Sequence, residues 1–194
     1  MTILRTIYSS FQSRHSTIMS IVSIFATLGT VTVLLGGVWD SASHALRIPE
    51  NFWTIQHITI YTGAALVASS AAVGFLVSLQ NKKISKGILI LLVGSAMQLG
   101  GGFADYNFHE IYGIDGLVTP SHLTVECGLL LSAVGGFVAI SKSNYAYTKR
   151  IIPLSIMTVL LSASWIIFNL TLLLGAVALC VPVFELFSSG CAVM

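Results

Sequence analysis

Residues 36–63 read GGVWDSASHALRIPENFWTIQHITIYTG and residues 101–128 read GGFADYNFHEIYGIDGLVTPSHLTVECG. Both segments carry the pattern Asp-x3-His-x12-His. Asp40, His44 and His57 form the first set; Asp105, His109 and His122 form the second, 65 positions later. The same shift lays Gly36-Gly37 on Gly101-Gly102, Glu50 on Asp115, Thr54 on Thr119 and Gly63 on Gly128. The chain has five histidines and three aspartates, and the two sets take four and two of them, so shared spacing at these positions outweighs the chance likeness of apolar helices. The pattern predicts two structural units of one build and one direction, a parallel internal repeat of helical hairpins.

The surrounding composition places those units in a bilayer. The chain is 55% hydrophobic and 8% charged with a mean hydropathy of +0.90, whereas soluble domains carry about 25% charged residues. Runs of about twenty apolar residues suffice to cross a bilayer. They are expected at Met19–Val38, Trp53–Leu79, Ile88–Ala104 (ending in Gly100-Gly101-Gly102), Ser121–Ile140 and Ile152–Leu174. Gly175 and Pro182 interrupt the remaining apolar tail, which reads as a sixth crossing or a bent segment. The expected fold is therefore an all-α, polytopic integral membrane bundle of five or six transmembrane helices. Its organisation is residues 1–18 as a cytoplasmic interfacial N-terminus, 19–80 as the first hairpin, 86–141 as the second, and 151–194 as the C-terminal transmembrane part. Ile3, Leu4, Ile7, Tyr8 and Phe11 share one side of a helix over the first thirteen residues, the pattern of an interfacial segment. The small-residue site of a cleaved signal peptide is missing.

Charge orients the bundle. Arg5, Arg14, Lys82, Lys83, Lys86, Lys142, Lys149 and Arg150 fall on one side, and Arg47 alone on the other. The positive-inside rule then predicts a cytoplasmic N-terminus, in the cell membrane, with both histidine-bearing loops facing outward. A net charge of +2 without a basic run excludes nucleic acid as a partner class. Cys127, Cys180 and Cys191 show no metal spacing and no disulfide framework, and Cys127 reads as a small core residue.

One carboxylate and two imidazoles make a common first shell for a transition metal. Asp40 and His44, four apart on a helix, lie on one face. The chain then returns, and His57 opens the next span toward the same point. Asp105, His109 and His122 repeat this construction. Polar groups at membrane depth cost a few kcal/mol and therefore find partners. A divalent ion would satisfy all three at once, with copper favoured by affinity order and zinc or iron as alternatives. Helix capping explains single histidines but does not require a shared twelve-residue gap. Glu126, one turn deeper than His122 and opposite Tyr61 in the other unit, reads as a partner of His122, a proton relay, or a protonated carboxyl bonded to a neighbouring helix. Trp39, Trp53, Tyr106 and Tyr112 read as an interfacial aromatic belt.

These residues resemble the C subunit of the copper-dependent membrane monooxygenases, the particulate methane, ammonia and short-chain hydrocarbon monooxygenases. The likeness covers Val38–Gly63 and Gly101–Gly128 and includes Trp39 before Asp40 and Phe52-Trp53 before His57. In the family the second triplet often begins with Asn, where this chain has Asp105. The resemblance implies copper on Asp40, His44 and His57, with a second site or half-site at Asp105, His109 and His122. It also implies O2-dependent hydroxylation of a small substrate, and activity only in a complex with A and B subunits that can itself form a homo-oligomer. Two other classes fit the same ligands. A zinc-dependent intramembrane hydrolase would use Ser41, Ser43 or Ser121. A non-catalytic metal carrier or assembly protein would need the ligands alone. Haem is disfavoured because the carboxylates would have no axial role.

Overall fold

The computed structural model describes residues 2–46, 48, 53–80, 85–112, 118–143 and 145–179. Within these, the side chains of 2–14, 44, 45, 80, 109, 112 and 175–179 lie outside the description. Among the described residues six helices follow one another: α1 (Thr2–Ala45), α2 (Ile55–Gln80), α3 (Lys86–Tyr112), α4 (Pro120–Ser141), the single turn α5 (Ala146–Lys149) and α6 (Ile152–Leu179). Among the described residues there is no strand. Five helices are long and apolar enough to cross a membrane: residues 15–43, 55–79, 86–108, 120–141 and 146–174. At 1.5 Å per residue, 22 residues already span about 33 Å, enough for a hydrocarbon core of about 30 Å.

These helices are apolar all round, so hydropathy does not choose their contact faces. Small residues do. α1 pairs with α2, and α3 with α4, more extensively than any other helices. A Cβ on Gly29 would come within 2.9 Å of the Gly63 carbonyl oxygen, and one on Gly63 within 2.6 Å of the Val33 nitrogen. In the other pair, a Cβ on Gly94 would lie 2.7 Å from the Gly128 oxygen, and one on Gly128 2.8 Å from the Gln98 nitrogen. Each of these contacts recurs 65 positions on. Gly36 against Ile60 and Gln56 likewise matches Gly101 against Val125 and Ser121. Only glycine allows backbones to approach this closely.

Buried hydroxyls need little further help. Ser23, Thr27 and Thr30 of α1 donate to carbonyls one turn back, of Met19, Ser23 and Ala26. Such bonds satisfy a small polar side chain inside a helix interface. On α6, Ser155, Thr158 and Ser162 are also buried against the bundle; Thr158 donates to the Leu154 carbonyl oxygen, whereas the Ser162 hydroxyl has no hydrogen bond among the described residues. At the opposite end from the two histidine-bearing returns, Thr148 of α5 and Ser20 of α1 both bond to Ser143. This closes α5 onto the pair α1 and α4. Large apolar residues such as Leu35, Phe103, Leu160 and Phe168 point outward.

Several boundaries differ from those expected. The glycine triplet at 100–102 does not end the third helix, which continues to Tyr112 and carries Asp105 on its last turns. Gly101 is needed for close contact with α4, and in an apolar environment no water competes for the freed backbone groups. The first helix runs without a break from Thr2 through the expected interfacial segment and seven residues past Val38. α6 extends to Leu179 through Gly175. The expected sixth segment, with Pro182, lies outside the described residues.

Candidate metal centre

Each hairpin ends in an Asp–His clasp. Asp40, on the last turns of α1, is buried, and its Oδ1 lies 3.0 Å from Nε2 of His57 in the first turn of α2. Asp105, on the last turns of α3, holds its Oδ1 3.3 Å from Nε2 of His122 at the start of α4. The two clasps join helices that begin and end at the same end of the bundle. They stand directly beyond the Gly36–Ile60 and Gly101–Val125 contacts, which set how near the helix ends come.

The surroundings orient the donor atoms. Thr54 Oγ1 sits 3.2 Å from His57 Nδ1. In the tautomer that carries its proton on Nδ1, the ring donates to Thr54 and keeps the Nε2 lone pair toward Asp40. Tyr61, one turn further along α2, stacks on the imidazole with ring centroids 6.2 Å apart, and Trp53 meets Tyr61 edge-on at 6.4 Å. In the second hairpin Thr119 caps α4, with its hydroxyl accepting from the His122 backbone nitrogen, and Pro120 follows as the first helical residue. Proline at that position is already set for a helix start. Ser121 donates to Asp105 Oδ1 at 2.8 Å and lies 2.8 Å from the Thr119 hydroxyl.

The side chains of His44 and His109 lie outside the described residues, although both backbones are helical, four residues after Asp40 and Asp105. Among the described residues no three His, Cys, Asp or Glu side chains gather as metal ligands. Each triplet is therefore represented by its aspartate and its second histidine. For these the donor spacing can be tested. Ligands bound at about 2.0–2.2 Å in angles between a right angle and a tetrahedron stand about 2.9–3.5 Å apart. The observed 3.0 and 3.3 Å fall in that interval. The same spacing also suits a direct hydrogen bond, so the donor set fits an ion without requiring one.

Glu126 is placed differently from the expectation that tied it to His122. Its Oε1 accepts from Trp165 Nε1 at 2.9 Å and from Asn169 Nδ2, both on α6. This carboxyl holds the last helix on the bundle, the neighbouring-helix alternative. Its Oε2 is buried and has no hydrogen bond among the described residues. Glu126 nevertheless shares a small cavity of about 70 Å³ with Asp40 and His122, so groups from both hairpins border one space. Trp165 and Asn169 carry no local motif. Their one signal is polarity four residues apart in an apolar span.

Two cavities flank the centre of the bundle. The first lies between Val33, Leu34 and Gly37 of α1 and Val125 and Glu126 of α4, and Trp165 of α6 covers it. The second, of about 330 Å³, lies between Gln98, Leu99 and Gly102 of α3 and Ile60 and Tyr61 of α2. Each residue of the first set corresponds to one of the second by the same shift of 65. Gln98, unassigned by its sequence context, is buried and donates to Ser132 Oγ at 2.7 Å and to the Gly128 carbonyl oxygen. Of the expected aromatic belt, Trp39, Trp53 and Tyr106 are exposed near the clasps, and Tyr112 lies outside the described side chains. Cys127 is a free, half-buried thiol away from both clasps.

Searches against protein-family models, curated proteins and solved structures found no match to this chain.

Proposed function

We propose that this chain is a metal-binding membrane subunit built from two equivalent hairpins, each holding a divalent ion at the end where its helices return. Asp40, His44 and His57 would bind one ion, and Asp105, His109 and His122 the other. The observation that carries this reading is the pair of Asp–His contacts, 3.0 and 3.3 Å, at positions related by 65 residues. Thr54 on the far nitrogen of His57 adds the outer partner that metal-bound imidazoles ordinarily have. Loop charge supports placing both centres on the outer face, where copper is the favoured ion.

The likeness of the two triplets to the C subunit of copper-dependent membrane monooxygenases gives the chemistry its direction: a bound copper would supply the redox step of O2-dependent hydroxylation of a small molecule. The chain's own residues bind and orient the ion and exclude water around it. Partner subunits complete the enzyme in this reading. A second reading, a zinc-dependent intramembrane hydrolase, draws on Ser121, whose hydroxyl lies 2.8 Å from Asp105.

Elemental analysis with X-ray absorption on protein purified from copper-replete membranes separates these readings. Copper with nitrogen and oxygen neighbours is expected, zinc alone would select the hydrolase, and a metal-free folded chain would remove both.

A further inference from the structure

A further cavity lies at the end of the bundle away from the clasps. It occupies about 260 Å³ where the apolar span of α1 begins, the chain enters α3 and α4 ends. A polar hole of about 15 Å³ already admits a water, so this one has room for a group of several atoms. His15 and Ser16 of α1, Ser85 just before α3 and Lys142 just after α4 stand in its wall.

This wall offers donors without acceptors to match. Ser85 Oγ accepts from the Ile88 backbone nitrogen at 3.2 Å, so its own proton is free to donate. Among the described residues the Ser16 hydroxyl has no hydrogen bond and Lys142 no ion pair. Nε2 of His15 is enclosed by protein, so Nδ1 is the nitrogen that a ligand can reach. The rim is held in place. Ser143, next to Lys142, lies 2.8 Å from Ser20 of α1 and accepts from Thr148 of α5 at 2.8 Å; Tyr145, just before α5, meets Thr17 at 2.9 Å.

Charge agrees with the donors. Lys86, Lys142, Lys149 and Arg150 stand at this end, whereas the described carboxylates, Asp40, Asp105, Glu110 and Glu126, stand toward the clasps. Lys142 also follows the last turn of α4, whose carbonyls would otherwise repel an anion. Hydroxyls beside an ammonium, with no carboxylate, suit the oxygens of a phosphate. Depth selects its source. The apolar helices 15–43, 86–108 and 120–141 each begin or end within one residue of Ser16, Ser85 or Lys142. In a bilayer such ends reach the headgroup layer. Basic pockets between membrane helices take anionic headgroups there, on the cytoplasmic side that loop charge assigns to this end.

We propose that this cavity binds the phosphate of an anionic phospholipid, with Lys142 Nζ and the Ser16 and Ser85 hydroxyls donating to its oxygens. The site is separate from the clasps and does not depend on an ion held by them.

The test uses the full-length chain in detergent, stripped of lipid and titrated with phosphatidylglycerol, phosphatidylcholine or inorganic phosphate under native mass spectrometry. Phosphatidylglycerol should be held more tightly than phosphatidylcholine, whose headgroup brings its own cation to Lys142. Lys142→Ala should weaken its retention about fivefold, and Ser16→Ala with Ser85→Ala about tenfold. Lys142→Arg should keep most of it. Lys149→Ala removes the same charge from the same end, outside the cavity, and should leave retention within about twofold. Circular dichroism checks that each variant is folded, and the comparison of lipids on the wild type needs no variant. Equal retention of the two lipids overturns the proposal, as does a chain that holds neither. Equal losses in Lys142→Ala and Lys149→Ala would mark diffuse surface attraction and overturn it too. Inorganic phosphate held as tightly as the lipid would assign the cavity to a soluble phosphate instead.

Discussion

The hairpin α1–α2 and the hairpin α3–α4 share their skeleton and differ in their dressing. Both bring two backbones together over glycines at matched positions, and both close with an aspartate against the first histidine of the returning helix. What surrounds each clasp is particular. The first has Thr54 on the imidazole and Tyr61 stacked against it. The second has Ser121 on the carboxylate and a Thr119–Pro120 helix start. Where the first hairpin has Tyr61, the second has Glu126, and that carboxyl receives α6. Close packing and a convergent Asp–His pair are the features that geometry demands twice. The rest is free to diverge, and its divergence decides which side of the bundle gains another helix.

This comparison can be broken at the glycines. Gly63→Leu and Gly128→Leu should each destabilise the bundle by at least about 1–3 kcal/mol, the cost of overpacking, because any Cβ there meets backbone atoms of the partner helix. Equal losses in thermal unfolding would support equivalence; one tolerated and one ruinous substitution would break it. The asymmetry is sharpened at the next position. Glu126→Leu should cost about 1–3 kcal/mol by leaving Trp165 and Asn169 without their acceptor, and α6 should become accessible to protease. Tyr61→Leu should leave α6 protected. The smallest effect belongs to Gly37→Ala and Gly102→Ala, where a Cβ meets nothing within 4 Å. Both should gain up to about 1 kcal/mol from better helix propensity, and a loss at either site would show a neighbour there that the fold does not place.

Much of this was legible in the sequence because membrane helices announce themselves by length. The five helices long and apolar enough to cross a membrane followed from apolar runs, and the convergence of Asp40 with His57 followed from a spacing that spends one helix end, one return and one helix start. The helix ends were not legible. Gly100-Gly101-Gly102 reads as a terminator by propensities measured in water, yet Gly101 serves the packing of α3 on α4 and the helix continues through it. The partner of Glu126 was also hidden. Local spacing pointed to His122, one turn away, whereas Trp165 and Asn169 lie 39 and 43 positions distant. No periodicity reports a contact of that separation. Gln98 escaped for the same reason: its partner Ser132 is on another helix, and an isolated amide in an apolar run carries no pattern.

The central claim is that each hairpin holds its own ion, and counting metal by halves tests it most directly. Wild type, the pair His44→Ala with His57→Ala, the pair His109→Ala with His122→Ala, and all four together would be purified from copper-replete membranes. Each would be assayed for metal per folded chain, with helicity checked by circular dichroism. The account predicts two, one, one and none. Undiminished metal in the fourfold variant, or a folded wild type that binds no transition metal at all, would contradict it.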